Sequence, residues 1–231
     1  MTSPVPVPPK NLNPFARELL EALAGHPEAA EIVIGGGVAL SHYLEYRGTV
    51  DLDAWWRHKP VEGCRALIRR LIEAMGVKYG LEFRFRVFGE TESFELLNGR
   101  QKSFSCQIIE RTLYLQGVMP SPWPPLHIET LEDNLASKMS ALVRRGAPRD
   151  FMDVYELCRS GMVTPEQCWE LWQRKNPDEL PVTGAGMIIS HLQGIEMRRP
   201  LETVSTGERE KARLVRAWIR DILCAPHRHD P

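Results

Sequence analysis

The stretch EIVIGGGVALSHYLEYRGTVDLDAWW, residues 31–56, decides how this chain is read. Glu31 to Ile34 forms a short apolar strand that runs straight into Gly35-Gly36-Gly37. A helix follows from about Val38 to Tyr46, and Val50 to Trp56 reads as a second strand. The strand period of two turns Asp51 and Asp53 to one face and Leu52 to the other. Glycines let a backbone approach a phosphate closely, and the first N–H groups of a helix offer donors and a positive dipole end. Two carboxylates aimed the same way suit a hard cation. Magnesium prefers oxygen ligands and commonly reaches a protein through one or two carboxylates plus substrate phosphates. The order strand, glycines, helix, acidic strand therefore predicts a site for a metal-bound triphosphate. The glycines lack the Gly-x-Gly-x-x-Gly spacing of a dinucleotide fold, and no Gly-Lys-Ser/Thr of a P-loop follows them.

Working outward, Asn13-Pro14 reads as an N-cap with proline at the first helical position, and Phe15, Leu19, Leu20 and Leu23 give that helix its apolar stripe. Before it, Pro4, Pro6, Pro8 and Pro9 mark residues 1–12 as a disordered, extended tail. Residues 61–75 fit a helix. Residues 82–88 alternate as a half-buried strand, and Asn98-Gly99 is a hairpin signal between strands at 94–97 and 102–109. Pro120, Pro122, Pro124 and Pro125 close this half. Beyond them the pattern is helical, with Thr130 and Asp133 as a start signal, Pro148 as another, and further stretches near 165–175, 184–196 and 207–223. The expected fold is α/β (α+β): a mixed-sheet core over 13–125 and a helical C-terminal region over 126–225.

Of 231 residues, 43% are hydrophobic and 26% charged, enough for a packed core, and the net charge of −1 supplies no global field for nucleic acid. The five cysteines form no C-x-x-C pair and are expected as free thiols, which points to a reducing, cytoplasmic setting. No apolar run is long enough for a membrane span. Cys224, His227 and His229 fit no standard zinc spacing. Of the adjacent Trp55 and Trp56, one is expected in the core while the other is available to stack on a base.

Three blocks carry a resemblance. Gly36-Gly37-Val38-Ala39-Leu40, Arg47 and Thr49-Val50-Asp51-Leu52-Asp53 resemble the nucleotidyltransferase signature of the AbiEii abortive-infection toxin family, within the DNA polymerase β-like superfamily. Lys138-x-x-Ala141-Leu142-x-Arg144 is similar to that family's lysine helix, and Arg149-Asp150-x-x-Asp153 to its Arg-Asp-x-x-Asp motif. The match runs from about residue 32 to about 160. The resemblance implies a nucleotidyltransferase-type fold in which Asp51 and Asp53 ligate Mg2+ (or Mn2+). Gly36, Gly37, Val38 and Arg47 would hold the nucleotide, and Lys138 would pair with the triphosphate. Asp150 would orient a base, a sugar or Lys138, while Arg144 and Arg149 would bind phosphate or an RNA acceptor. It also implies an NTP donor, a tRNA or protein acceptor, a cognate antitoxin, and a role in a toxin–antitoxin or phage-defence system.

Two departures weigh against full activity. Gly37 and Val38 stand where the family commonly carries a small hydroxyl residue. The superfamily's third carboxylate also lacks an obvious equivalent: inner positions of the 103–110 strand read Ser105, Gln107 and Ile109, Glu110 has the opposite parity, and Glu92 and Glu95 lie on the neighbouring strand. The alternative is a catalytically weak or inactive nucleotide-binding module that acts through a protein partner. An antibiotic-modifying transferase is a further possibility, without a dedicated acidic pocket to support it.

Overall fold

A computed structural model of the chain describes residues 4–58, 62–110 and 114–227. Contacts divide it into two compact units, Met1–Asn134 and Leu135–Pro231.

The first unit is built on a seven-stranded mixed sheet. In chain order its strands are β1 (Ile32–Gly35), β2 (Asp51–Trp56), β3 (Glu82–Phe88), β4 (Thr91–Asn98), β5 (Gln101–Glu110), β6 (Met119–Pro120) and β7 (His127–Ile128). Their spatial order is β3-β4-β5-β2-β1-β7-β6. β2 runs antiparallel to β1 and parallel to β5, so the acidic strand lies in the interior of the sheet. The apolar positions of β2, Leu52, Ala54 and Trp56, join Phe94, Phe104 and Ile108 in one core cluster. Two helices complete that cluster. α1 (Pro14–Leu23) contributes Leu19 and Leu20, and its start is capped by Asn13, whose side-chain oxygen accepts the Phe15 and Ala16 N–H groups. α3 (Glu62–Tyr79) contributes Leu67, Ile68 and Ile72. Between β1 and β2 lies α2 (Gly36–Ser41), shorter than the helix to Tyr46 that the sequence predicts. It tightens at its end, with His42 N–H donating to Ala39 O.

The proline-rich segment, read from sequence as a disordered tail, is held along residues 4–12. Val7 N–H donates to His42 O, and Leu12 is buried. The sequence pattern does not predict the strands β6 and β7; they flank the proline-rich break, and β7 pairs parallel to β1.

α4 (Leu131–Arg144) begins where the sequence places a start signal, with Asp133 N–H donating to Thr130 Oγ1 at 3.2 Å. The second unit is helical: α5 (Pro148–Arg159), α6 (Pro165–Lys175), α7 (Pro181–Arg198) and α8 (Thr206–Trp218). Trp169 and Trp172 meet edge to face at its centre, above Gly184, and Trp169 donates its indole N–H to Leu223 O. Cys224 is buried and not disulfide-bonded, and His227 lies edge-on to Trp169; His229 falls outside the described residues. Among the described residues no helix is long and apolar enough to cross a membrane.

Candidate nucleotide and metal site

The glycine bend is shaped by the side chains of β2. Register pairs Gly35 with Asp53 and Val33 with Trp55. A Cβ on Gly35 would stand 2.2 Å from the Trp55 indole nitrogen, and a Cβ on Gly36 would stand 2.2 Å from Asp53 Oδ2. Gly36 also has φ +60°, a left-handed conformation that glycine adopts without a steric penalty. The first two glycines thus make room for Trp55 and Asp53. The carboxylate of Asp53 lies directly against the bend. At Gly37 a Cβ would have ordinary contacts, 3.5 Å from Arg47 Nη2 and 3.5 Å from Thr49 Oγ1. A hydroxyl and a guanidinium therefore stand beside the position where a residue-37 side chain would extend. Val38 turns its side chain into the core, which leaves its backbone N–H as the group it can offer a ligand.

Asp51 sits two residues before Asp53 on the same face. Its Oδ1 accepts the Ser105 hydroxyl at 2.6 Å and lies 3.3 Å from Lys102 Nζ. On β5, Ser105 is the neighbour of Asp51 and Gln107 the neighbour of Asp53. The three further carboxylates separate cleanly. Glu110 pairs with Trp56, on the core face. Glu92 pairs with Ile108, also on the core face, and is buried against Arg65 at 2.7 Å. Glu95 pairs with Ser105 and so shares the face of Asp51, two strands away. Gln107 is the β5 residue beside Asp53.

Sequence reading missed Glu129. Its side chain is fully buried. Oε1 accepts the Gly36 N–H at 3.0 Å and the Asn134 amide, and Oε2 accepts the Trp55 indole N–H at 3.1 Å. Asn134 also donates to Gly36 O at 2.8 Å, and the Tyr43 hydroxyl donates to Glu129 O at 2.7 Å. Burial and the nearby Glu129 and Glu132 push the Tyr43 phenol up, so that hydroxyl keeps its proton for donation. The signal in the sequence was slight: one acid between Ile128 and Thr130, 93 residues beyond the glycine it binds.

The donor set at the bend is oxygen-rich and two-membered. Among the described residues no group of three or more His, Cys, Asp or Glu is poised around a metal position. A magnesium- or manganese-type ion that takes its remaining ligands from phosphates fits two carboxylates of this kind.

The sequence model described as nucleotidyl transferase AbiEii toxin, type IV toxin–antitoxin system, matches residues 18–213. This chain belongs to the AbiEii family. It is thereby placed among the nucleotidyl transferase toxins of type IV toxin–antitoxin systems. No curated protein matches the chain.

The remaining AbiEii-type motif residues lie in the second unit. Lys138 is 8% exposed and its Nζ is 2.7 Å from Asp153 Oδ2, so Asp153, not Asp150, is the acid that meets the lysine. Asp150 is fully buried. It takes Arg145 through both oxygens, at 2.9 and 3.0 Å, and accepts the Ala147 N–H at the start of α5. Arg144 is exposed and lies near Asn176 and Glu179. Arg149 is exposed at the first turn of α5.

Proposed function

We propose that this AbiEii-family protein transfers a nucleoside monophosphate from a Mg2+- or Mn2+-bound NTP to a hydroxyl on an acceptor, tRNA or protein, with Asp51 and Asp53 as the protein ligands of the cation. The observation that carries the reading is the Asp53 carboxylate seated against the left-handed Gly36. On this reading the cation's ligands stand beside the backbone that would hold phosphate oxygens. When bound, the cation would neutralise charge on the phosphates. The chain's own part is positioning. Gly36 contributes shape, since its N–H is taken by Glu129. The N–H groups of Gly37 and Val38 would meet phosphate, together with the Arg47 guanidinium, which also donates to the Tyr46 hydroxyl and to Gly48 O. For Lys138, Asp150, Arg144 and Arg149 the reading rests on the family's pattern: triphosphate pairing by Lys138, support from Asp150, and phosphate or acceptor contact by the arginines. In the transfer, the acceptor oxygen bonds to the α-phosphorus, the α–β bridging bond breaks, pyrophosphate leaves, and the acceptor proton passes to a base. The family also supports a cognate antitoxin and a role in phage defence as proposals.

Gln107 beside Asp53 favours a second reading, a nucleotide-binding module with weak catalysis that acts through a protein partner. Loss of a general base lowers a rate by about 10²–10⁴-fold without abolishing nucleotide binding. Purified protein incubated with each labelled NTP, Mg2+ and total tRNA, beside Asp53→Asn, separates the two. Label transfer lost in the variant supports the enzyme; binding with no transfer to RNA or protein supports the module. Failure to bind any NTP overturns both.

A further inference from the structure

We infer that Glu129 and Asn134 are positioning residues for the phosphate grip: together they set the direction in which the Gly37 N–H points. The inference rests on the nucleotide-site reading above and deepens it.

The bend needs an external lock. Three successive glycines have the widest backbone freedom of any tripeptide, and folding them into one conformation costs more entropy than for other residues. Nothing in their own side chains selects a conformation. The lock comes from 93 and 98 residues further along the chain. Glu129 accepts the N–H of Gly36, and Asn134 donates to its C=O, so both peptide planes that flank this residue are gripped. The second grip matters for a ligand. In a trans peptide the C=O and the following N–H point in opposite directions. Fixing Gly36 C=O toward Asn134 therefore turns the Gly37 N–H to the opposite side, away from the clamp.

The clamp also sets the bend's distance from the acids. Its other oxygen takes the indole of Trp55, two residues beyond Asp53 on the same face of β2. One buried carboxylate thus joins the residue that bends and the strand that carries Asp51 and Asp53. The bonds that the Glu129 carboxylate accepts from Gly36, Asn134 and Trp55 come from N–H donors. A carboxylate only accepts, whereas a glutamine amide would turn an NH2 toward one of those donors. Burying a carboxylate is unfavourable unless it is hydrogen-bonded, so its retention here suits a group that has to be an acceptor on both sides.

The test uses the full-length protein and three measurements on wild type, Glu129→Gln and Asn134→Ser: NTP affinity with Mg2+ present, affinity for Mn2+ alone, and amide hydrogen exchange at Gly36 and Gly37. Circular dichroism and thermal melting report folding. The expected result is an NTP Kd raised about tenfold in each folded variant, the effect of one charge-assisted hydrogen bond, with faster exchange at Gly36. Affinity for Mn2+ alone stays near wild type, because Asp51 and Asp53 are untouched. A variant that melts earlier but binds NTP as wild type does shows a merely structural role and overturns the inference. So does a wild-type Gly36 amide that exchanges as fast as an exposed loop. If Glu129→Gln does not fold, Asn134→Ser decides the matter, since it removes only the grip on Gly36 C=O and the contact to Glu129. Wild type that binds no NTP overturns the nucleotide reading, and this inference with it; wild type that binds while the folded variants bind equally well overturns the inference alone.

Discussion

Asp53 Oδ2 occupies the space that a side chain on Gly36 would need. The two positions are therefore coupled: residue 36 cannot gain a side chain unless Asp53 moves. Gly36→Ala adds a methyl group 2.2 Å from that oxygen in a left-handed conformation. The expected cost is about 2–4 kcal/mol, from backbone strain and overpacking, together with loss of Mn2+ binding. Urea unfolding and Mn2+ titration check it. Gly48→Ala, where a Cβ meets nothing within 4 Å, serves as the control and should be near neutral.

Gln107→Glu puts an acid beside Asp53 with little change in side-chain shape. Affinity for Mn2+ should rise about tenfold, since carboxylate count tunes such sites, and label transfer should rise with it. Unchanged or weaker Mn2+ binding would remove Gln107 from the neighbourhood of the cation.

The Lys138–Asp153 pair yields a double-mutant cycle. Lys138→Met strips a 2.7 Å partner from a fully buried carboxylate, at an expected cost of about 3 kcal/mol. Asp153→Asn placed in that background should recover much of the loss, because a neutral amide is less costly to bury than a carboxylate that has lost its cation. With Asp153→Asn alone measured as well, a double-variant loss in urea melts equal to the sum of the two single losses would show that the pair is not coupled. If Lys138 also pairs with phosphate, the double variant stays weak in NTP binding even where stability returns.

His42 gives a pH dependence of stability. Its ring is buried edge-on to Trp123, with Nδ1 2.8 Å from Val38 O. Burial holds its pKa below the ordinary 6.5, against a smaller opposing effect of that hydrogen bond. Below about pH 6.5 the unfolded chain takes up a proton that the folded chain refuses, so this contribution is intact above that pH and erodes as pH falls. The urea midpoint should drop from about pH 7.5 to about pH 5.5, and drop less in His42→Phe. Equal drops would assign the acid sensitivity to other groups.

Much of this arrangement was legible from local pattern. Alternation around Asp51 and Asp53 gave the strand and its polar face, and parity already set Glu110 apart from Ser105 and Gln107. Asn13 and Thr130 marked helix starts through hydrogen bonds that span two or three residues. What escaped lacks a local cause. β7 is two residues long and exists because β1 offers it an edge. α2 stops at Ser41, where the backbone tightens to bonds from His42 N–H to Ala39 O and from Tyr43 N–H to Leu40 O, while the His42 and Tyr43 side chains meet Trp123 and Glu129. Glu129 and Asn134 act on Gly36 across the whole length of the sheet region, where spacing rules carry no information.

The strand that bears the acids is hydrogen-bonded along both sides, and its partner β5 enters the chain only at Gln101. Any fragment that stops short of Gln101 leaves the acidic strand with a bare rim of N–H and C=O groups. Such a rim is a template for pairing with another chain. Shortened versions of this protein should therefore clump before they can be assayed.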